Sequence, residues 1–140
     1  MLLESIKNLT APIILSYLLG FSVNQTALVV LGVFLIDLDH LIYIRYCAGI
    51  KSPSKAIRWI KEEHKKLDPH LYLFHTIEFL IVLFAMSILV PKNFLFYIAF
   101  GFLINVVIDM IGYIFIYKKL EPWIKYYSLI YYFISKPDSS

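Results

Sequence analysis

The sequence predicts an all-α fold: a polytopic integral membrane helix bundle with about four transmembrane helices, in a single domain that covers residues 1–140. Hydrophobic residues make up 60% of the chain, and its mean hydropathy is +0.73. Ordinary soluble domains are about 45–50% apolar. No Asp, Glu, Lys or Arg occurs from Asn8 to Ile36, and an apolar run of 18 or more residues is typical of a membrane span.

Four hydrophobic segments follow one another along the chain. The first is short and includes Pro12, and a polar break at residues 24–26 separates it from the second. Pro91 follows the third segment and Lys118 follows the fourth. At about 1.5 Å per residue, each of the last three is long enough to cross a hydrocarbon core of about 30 Å. The predicted spans are residues 9–23, 27–46, 71–90 and 94–117.

Basic residues indicate the orientation of these spans. Six lie between the second and third segments, and Lys118, Lys119 and Lys125 follow the fourth, whereas the other two connections hold one Lys between them. The positive-inside rule therefore places both termini and the loop at residues 51–69 in the cytoplasm, and we expect the protein in the cytoplasmic (inner) membrane. Two interfacial helices are predicted, a basic one at residues 53–67 and an aromatic one at residues 121–135. A solvated connector is an equally good interpretation of residues 53–67.

Polar side chains interrupt three of the four apolar segments at a similar depth. Residues three or four apart share a helix face, so the polar side chains form one stripe on each helix. The stripes lie roughly 9–14 Å inside the cytoplasmic ends of their segments. A charge in the bilayer centre costs at least about 2.5 kcal/mol, and we therefore expect one shared site. Its members are Asp37 and His40 in the second segment, His75 and Glu78 in the third, and Asn105 and Asp109 in the fourth.

Carboxylates and neutral imidazoles in one place are ligands for Zn²⁺, Mn²⁺ or Fe²⁺. We expect Asp37, His40, His75 and Asp109 to hold one divalent ion and to leave a position open for water, which such an ion converts into a nucleophile. The alternative is a set of ion pairs and hydrogen bonds that fixes helix packing. Intramembrane ionisable residues are more often functional.

The remaining polar residues are assigned to the chemistry around that ion. Glu78 or Asp39 is the expected general base, and His70, nearer the surface, is expected to protonate the leaving group. Asn105 is expected to orient a ligand or a substrate oxygen. On an ideal helix Asp39 points about 100–200° away from the face of Asp37 and His40, so it either supports a ligand or lies at a local break.

These residues resemble motifs of the YdjM-type membrane-bound metal-dependent hydrolases, also described as inner-membrane-associated LexA-binding hydrolases. The family pattern is Asp-x-Asp-His near the end of an apolar segment, then His-x4-His, then Gly-x3-His-x3-Asp. Residues 37–40 match the first motif in full, and His70 and His75 match the spacing of the second. Gly101 and Asp109 match the ends of the third.

Two family histidines are absent from this chain. Asn105 stands at the His position of the third motif, and Ala11 stands where the family has an early His. The resemblance covers about residues 9–115 and implies a membrane-embedded metal-dependent hydrolase. These two departures affect how many metal ligands the chain supplies and whether it is catalytic.

The resulting hypothesis is a hydrolase that acts on a phosphoester or lipid-linked substrate at the cytoplasmic leaflet. Its expected partners are membrane lipids, including an anionic or phosphorylated lipid substrate. No nucleic-acid partner is expected, and the sequence is compatible with an oligomer. A small ion or proton carrier and a non-catalytic scaffold remain alternatives. In the outer halves of the second and third spans, residues 27–35 and 80–90 carry one polar side chain, Ser87, which argues against a pore through a monomer. No nucleotide-binding, serine-hydrolase or Cys-x-x-Cys motif is present.

Overall fold

The computed structural model of the chain describes residues 2–46, 49–52, 54–55, 58, 72–90, 93–118, 124 and 127–135. Every regular element within these residues is helical, which confirms the all-α prediction. Leu73–His75 forms a short 3-10 turn before the fourth α-helix. The α-helices are α1 (Leu2–Leu18), α2 (Val23–Leu35), α3 (Leu38–Tyr46), α4 (Ile77–Leu89), α5 (Phe94–Tyr117) and α6 (Leu129–Ser135).

The bounds of the helices follow from identifiable caps. α1 ends at a glycine: Gly20 has φ +71°, and the Phe21 N–H donates to the Ser16 carbonyl at 2.9 Å, the bond pattern of a glycine-terminated helix. α2 then begins after Ser22, whose hydroxyl and backbone N–H form a reciprocal capping box with Gln25. The first helix therefore lies earlier in the chain than the predicted residues 9–23.

Two predicted spans contain irregular backbone. The predicted span at residues 27–46 is divided by a turn at residues 36–37 into α2 and α3. In the predicted span at residues 71–90, α4 begins only at Ile77, after Thr76 caps it by accepting from the Phe79 N–H at 3.3 Å. By contrast, α5 coincides with the predicted bounds 94–117. The predicted interfacial helix at 53–67 lies almost entirely outside the described residues, and α6 forms the end of the one predicted at 121–135.

Among the residues that the structure describes, two stretches are long and apolar enough to cross a membrane, namely Val23–Tyr46 and Phe94–Gly112. Leu9–Leu18 and Ile77–Leu89 are shorter apolar helices. Large apolar side chains also cover much of the outer surface of the helices; on α4, for example, Ile88 is 84% exposed and Leu89 is 81% exposed.

Glycines allow α2 and α5 to pack closely. A Cβ atom added at Gly101 would collide with the Val29 carbonyl oxygen and would lie 3.0 Å from the Gly32 Cα. A Cβ atom added at Gly32 would collide with the Ile98 carbonyl oxygen. The two backbones are therefore in direct contact, and this contact fixes the end of α2 relative to the middle of α5.

The buried apolar core lies just beyond this contact. It joins the end of α2, α4, α5 and the C-terminal segment, and its members are Ile36, Leu80, Phe102, Val106 and Tyr127. The polar residues described next lie beside these apolar side chains.

Candidate metal centre

The turn between α2 and α3 places two carboxylates and one imidazole together. The Asp37 N–H donates to the Phe34 carbonyl at 3.2 Å, a three-residue bond that tightens the end of α2. Asp39 follows in the first turn of α3 and is buried, with 9% of its side chain exposed, whereas 57% of the Asp37 side chain is exposed. The sequence allowed for a local break at Asp39, and the structure has one just before it.

Asp39 is the centre of the polar cluster. Its Oδ1 lies 3.1 Å from Nδ1 of His40, and its Oδ2 lies 3.2 Å from Nδ1 of His75. The Phe74 N–H also donates to Oδ2, at 2.9 Å. A single buried carboxylate therefore orients two imidazole rings, each through Nδ1. Metal-binding histidines commonly bond a carboxylate through one ring nitrogen and the metal through the other.

A second carboxylate lies on the other side of His75. Oδ1 of Asp37 is 3.8 Å from Nε2 of His75. One candidate ligand atom from each of Asp37, His40 and His75 lies within 4.8 Å of the other two. In a tetrahedral zinc site with bonds of about 2.1 Å, ligand atoms are about 3.4 Å apart, so side-chain movements of about 1 Å would close this set around an ion. The group could therefore hold a metal ion.

The 3-10 turn before α4 fixes the position of His75. The Thr76 hydroxyl donates to the Leu73 carbonyl at 2.8 Å and closes the turn. Beside it, the Tyr72 ring stacks on His40 with a centroid distance of 3.9 Å. Only 4% of the His75 side chain is exposed. The turn therefore holds His75 in the interior, facing both Asp37 and Asp39.

Asp109, the fourth predicted ligand, borders this cluster. It interacts electrostatically with Asp37 and with His75, and its Oδ2 accepts a hydrogen bond of 2.9 Å from the Tyr127 hydroxyl. The Tyr127 ring in turn lies edge-on to His75, with a centroid distance of 5.8 Å. Tyr127 is not among the site residues predicted from the sequence, which places it in an aromatic interfacial segment.

The described hydrogen bonds of Glu78 are made to the C-terminal segment. Its carboxylate accepts hydrogen bonds from the Ser128 hydroxyl at 2.8 Å and from the backbone N–H groups of Leu129 at 3.0 Å and Ile130 at 3.2 Å. The expectation assumed a continuous helix through His75 and Glu78. Thr76 has extended backbone with ψ 144°, so the two residues do not share a helix face.

Asn105 and His70 complete the set of predicted site residues. Asn105 is 2% exposed, and its amide donates to the Val33 carbonyl at 3.4 Å, a contact that joins α5 to α2. The expected contact of Asn105 with a ligand or a substrate oxygen stays a prediction. His70 lies outside the described residues.

Searches of protein-family models, of curated proteins and of solved structures return no match for this chain. The resemblance to the YdjM-type hydrolases therefore stays a prediction.

Proposed function

We propose that this protein is a membrane-embedded metal-dependent hydrolase, with a divalent ion held by Asp37, His40 and His75. The observation that carries the proposal is the double contact of Asp39 with Nδ1 of both histidines, next to a carboxylate 3.8 Å from Nε2 of His75. This combination is typical of histidine ligands oriented for Zn²⁺, Mn²⁺ or Fe²⁺.

Each residue has a distinct part in this proposal. Asp39 holds both imidazole rings in the required tautomer and orientation. Asp37, which is the most exposed of the group, is the ligand at the mouth of the site. Asp109, held by Tyr127, is the neighbouring carboxylate that would complete the ligand set or accept a proton. A divalent ion bound there would supply Lewis acidity and activate water near neutral pH.

The membrane part of the proposal extends the two candidate spans to four. α1 and α4 are shorter than the other two apolar stretches, and we propose that they also cross the bilayer, with both termini on the cytoplasmic side of the inner membrane. The exposed apolar side chains of α4 support this, because such faces are unfavourable in water and mark membrane or partner contacts. On α6, Ile130, Phe133 and Ile134 are all exposed at helical spacing, as expected for a helix at the membrane surface.

The surroundings of Asp37 favour a lipid-linked substrate. Phe34, one turn before it, is 48% exposed, and Leu38, next to it, is 40% exposed. The carboxylate at the mouth of the site therefore lies among apolar side chains that also face outward. A substrate with a phosphoester group beside an acyl or prenyl chain would bind both features, the ester at the metal and the chain along the apolar surface.

The proposal is tested by the metal content of the full chain purified in detergent. Elemental analysis should find about one equivalent of Zn, Mn or Fe, and Asp37→Asn or His75→Ala should reduce it at least about 10-fold. Ser87→Ala is the control, since this buried hydroxyl on α4 bonds only the Phe84 carbonyl within the described residues and should leave the metal content unchanged.

The same preparations separate the hydrolase from its alternatives. Chelator-sensitive release of phosphate from a polyprenyl phosphate in mixed micelles, lost in the Asp37→Asn variant, would support the hydrolase. Wild-type protein without metal, and variants that lose thermal stability alone, would instead assign the cluster to a scaffold that fixes helix packing. Bound metal without hydrolysis of any lipid phosphoester would favour the carrier.

A further inference from the structure

We propose that the C-terminal segment, residues 127–135, is part of the metal centre, with Tyr127 as a positioning residue and Glu78 as its anchor. This inference rests on the proposed metal site and adds two residues to it. Sequence reasoning gave Glu78 a catalytic part and gave Tyr127 none. The contacts of the two side chains support a different division of roles.

Tyr127 connects two predicted ligands that come from different elements. Its hydroxyl donates to Oδ2 of Asp109 on α5, at 2.9 Å. Its ring packs edge-on against His75, which lies in the 3-10 turn before α4. Tyr127 is only 7% exposed. It therefore fixes the direction of the Asp109 carboxylate next to His75, and carboxylates that bind metals are themselves usually held by such hydrogen bonds.

Glu78 holds the chain immediately after Tyr127. Its two carboxylate oxygens accept three hydrogen bonds from residues 128–130. The Ser128 hydroxyl, which donates to Glu78, also accepts from the Tyr131 N–H at 3.2 Å. A carboxylate at the first N–H groups of a helix is favourable both as a cap and with the helix dipole.

The anchor and the ligand share one short stretch of chain. His75 and Glu78 are three residues apart, separated by the cap residue Thr76 and by Ile77. A movement of this stretch would displace His75 and the start of α6 together. The short segment from His75 to Glu78 therefore determines the distance between His75 and Tyr127. This explains how a C-terminal tyrosine keeps a constant position relative to a ligand 52 residues earlier in the chain.

The test is a Co²⁺ titration of the full chain in detergent after removal of metal with EDTA. The affinity and the visible d–d spectrum of bound Co²⁺ are compared for the wild type, Tyr127→Phe and Glu78→Gln. Tyr127→Phe keeps the ring against His75 and removes only the hydroxyl. Both variants should bind Co²⁺ about 10-fold more weakly, with an altered spectrum, because residues that hold metal ligands commonly contribute 10–100-fold to affinity.

Tyr131→Phe is the matched control, because it removes a phenolic hydroxyl from the same segment. The described hydrogen bond of Tyr131 is donated by its backbone N–H, which the substitution keeps. This variant should match the wild type. Unchanged affinity and spectrum in Tyr127→Phe would overturn the inference, even if the metal-free protein unfolds at a lower temperature. If Glu78→Gln does not fold, Tyr127→Phe decides alone. If the wild type binds no Co²⁺, the proposed metal site itself is overturned. If the wild type and both variants bind Co²⁺ equally tightly, the metal site stands and only the roles of Tyr127 and Glu78 are overturned.

Discussion

Substitution of Gly101 by Ala should separate α2 from α5 and weaken the metal centre at the same time. The added Cβ would collide with the Val29 carbonyl oxygen and would lie 3.0 Å from the Gly32 Cα. Carbon atoms in contact are normally about 3.5–4.0 Å apart. The atoms that it meets belong to backbone, so no side chain can rotate away, and the collision with the Val29 carbonyl oxygen requires the helices to move apart by about 1 Å.

The magnitude follows from two opposing effects. Overpacking a closely packed interface costs about 1–3 kcal/mol, and contact with backbone places Gly101→Ala at the upper end of this range. Replacing a helical Gly by Ala also contributes up to about 1 kcal/mol of helix propensity. The free energy of unfolding should therefore fall by about 2 kcal/mol for Gly101→Ala.

Gly112→Ala provides the matched control, because Gly112 lies in the same helix and an added Cβ there meets no atom of the described residues within 4 Å. It gains the helix propensity without the collision, so the two variants should differ by about 3 kcal/mol. The free energy of unfolding is measured in mixed SDS micelles, with circular dichroism as the probe of helix content. Gly101→Ala should also bind Co²⁺ more weakly, because Asp37 follows α2 and Asp109 lies on α5. Equal stability of the two variants would refute the close packing described here.

Two further predictions concern individual polar residues. Asp39→Asn should reduce the affinity for Co²⁺ about 10–100-fold, because the amide retains only one oxygen to accept from two imidazoles and the Phe74 N–H; an affinity equal to that of the wild type would show that Asp39 does not orient the ligands. Asn105→Leu should reduce the free energy of unfolding by about 1 kcal/mol and leave the Co²⁺ affinity unchanged, since its amide bonds the Val33 carbonyl. Lost hydrolysis at unchanged stability would instead support the substrate-orienting role predicted from the sequence.

The sequence predicted the helical class and most of the polar cluster for a simple reason. Hydropathy identifies apolar helices, and a rise of about 1.5 Å per residue converts sequence position into depth. Residues at equal depth on neighbouring helices can meet, and Asp37, His40 and His75 do so. Neither argument requires knowledge of the contacts between helices.

The contacts of Glu78 could not be predicted in the same way, and those of Asp39 were predicted only through two alternatives, support of a ligand or a local break. Helical periodicity fails to place either residue because the backbone departs from it, at the turn of residues 36–37 and at Thr76. No proline or glycine marks either position. Tyr127 was missed for another reason: it follows the other site residues by 18 positions or more, and no local pattern connects it to them.

The turn at residues 36–37 also explains how an apolar stretch can carry so many ionisable groups. Asp39 satisfies its charge with two imidazoles and one backbone N–H, whereas Asp37 lies at a more exposed position next to His75. Ionised carboxylates in apolar surroundings require hydrogen-bond donors or a positive charge nearby. The imidazoles and the Phe74 N–H meet this requirement for Asp39, and a divalent cation held by Asp37, His40 and His75, as proposed above, would meet it for Asp37. The hydrogen bonds of Asp39 are therefore common to the scaffold and to the proposed metal centre, and the metal content of the purified protein is the measurement that distinguishes the two.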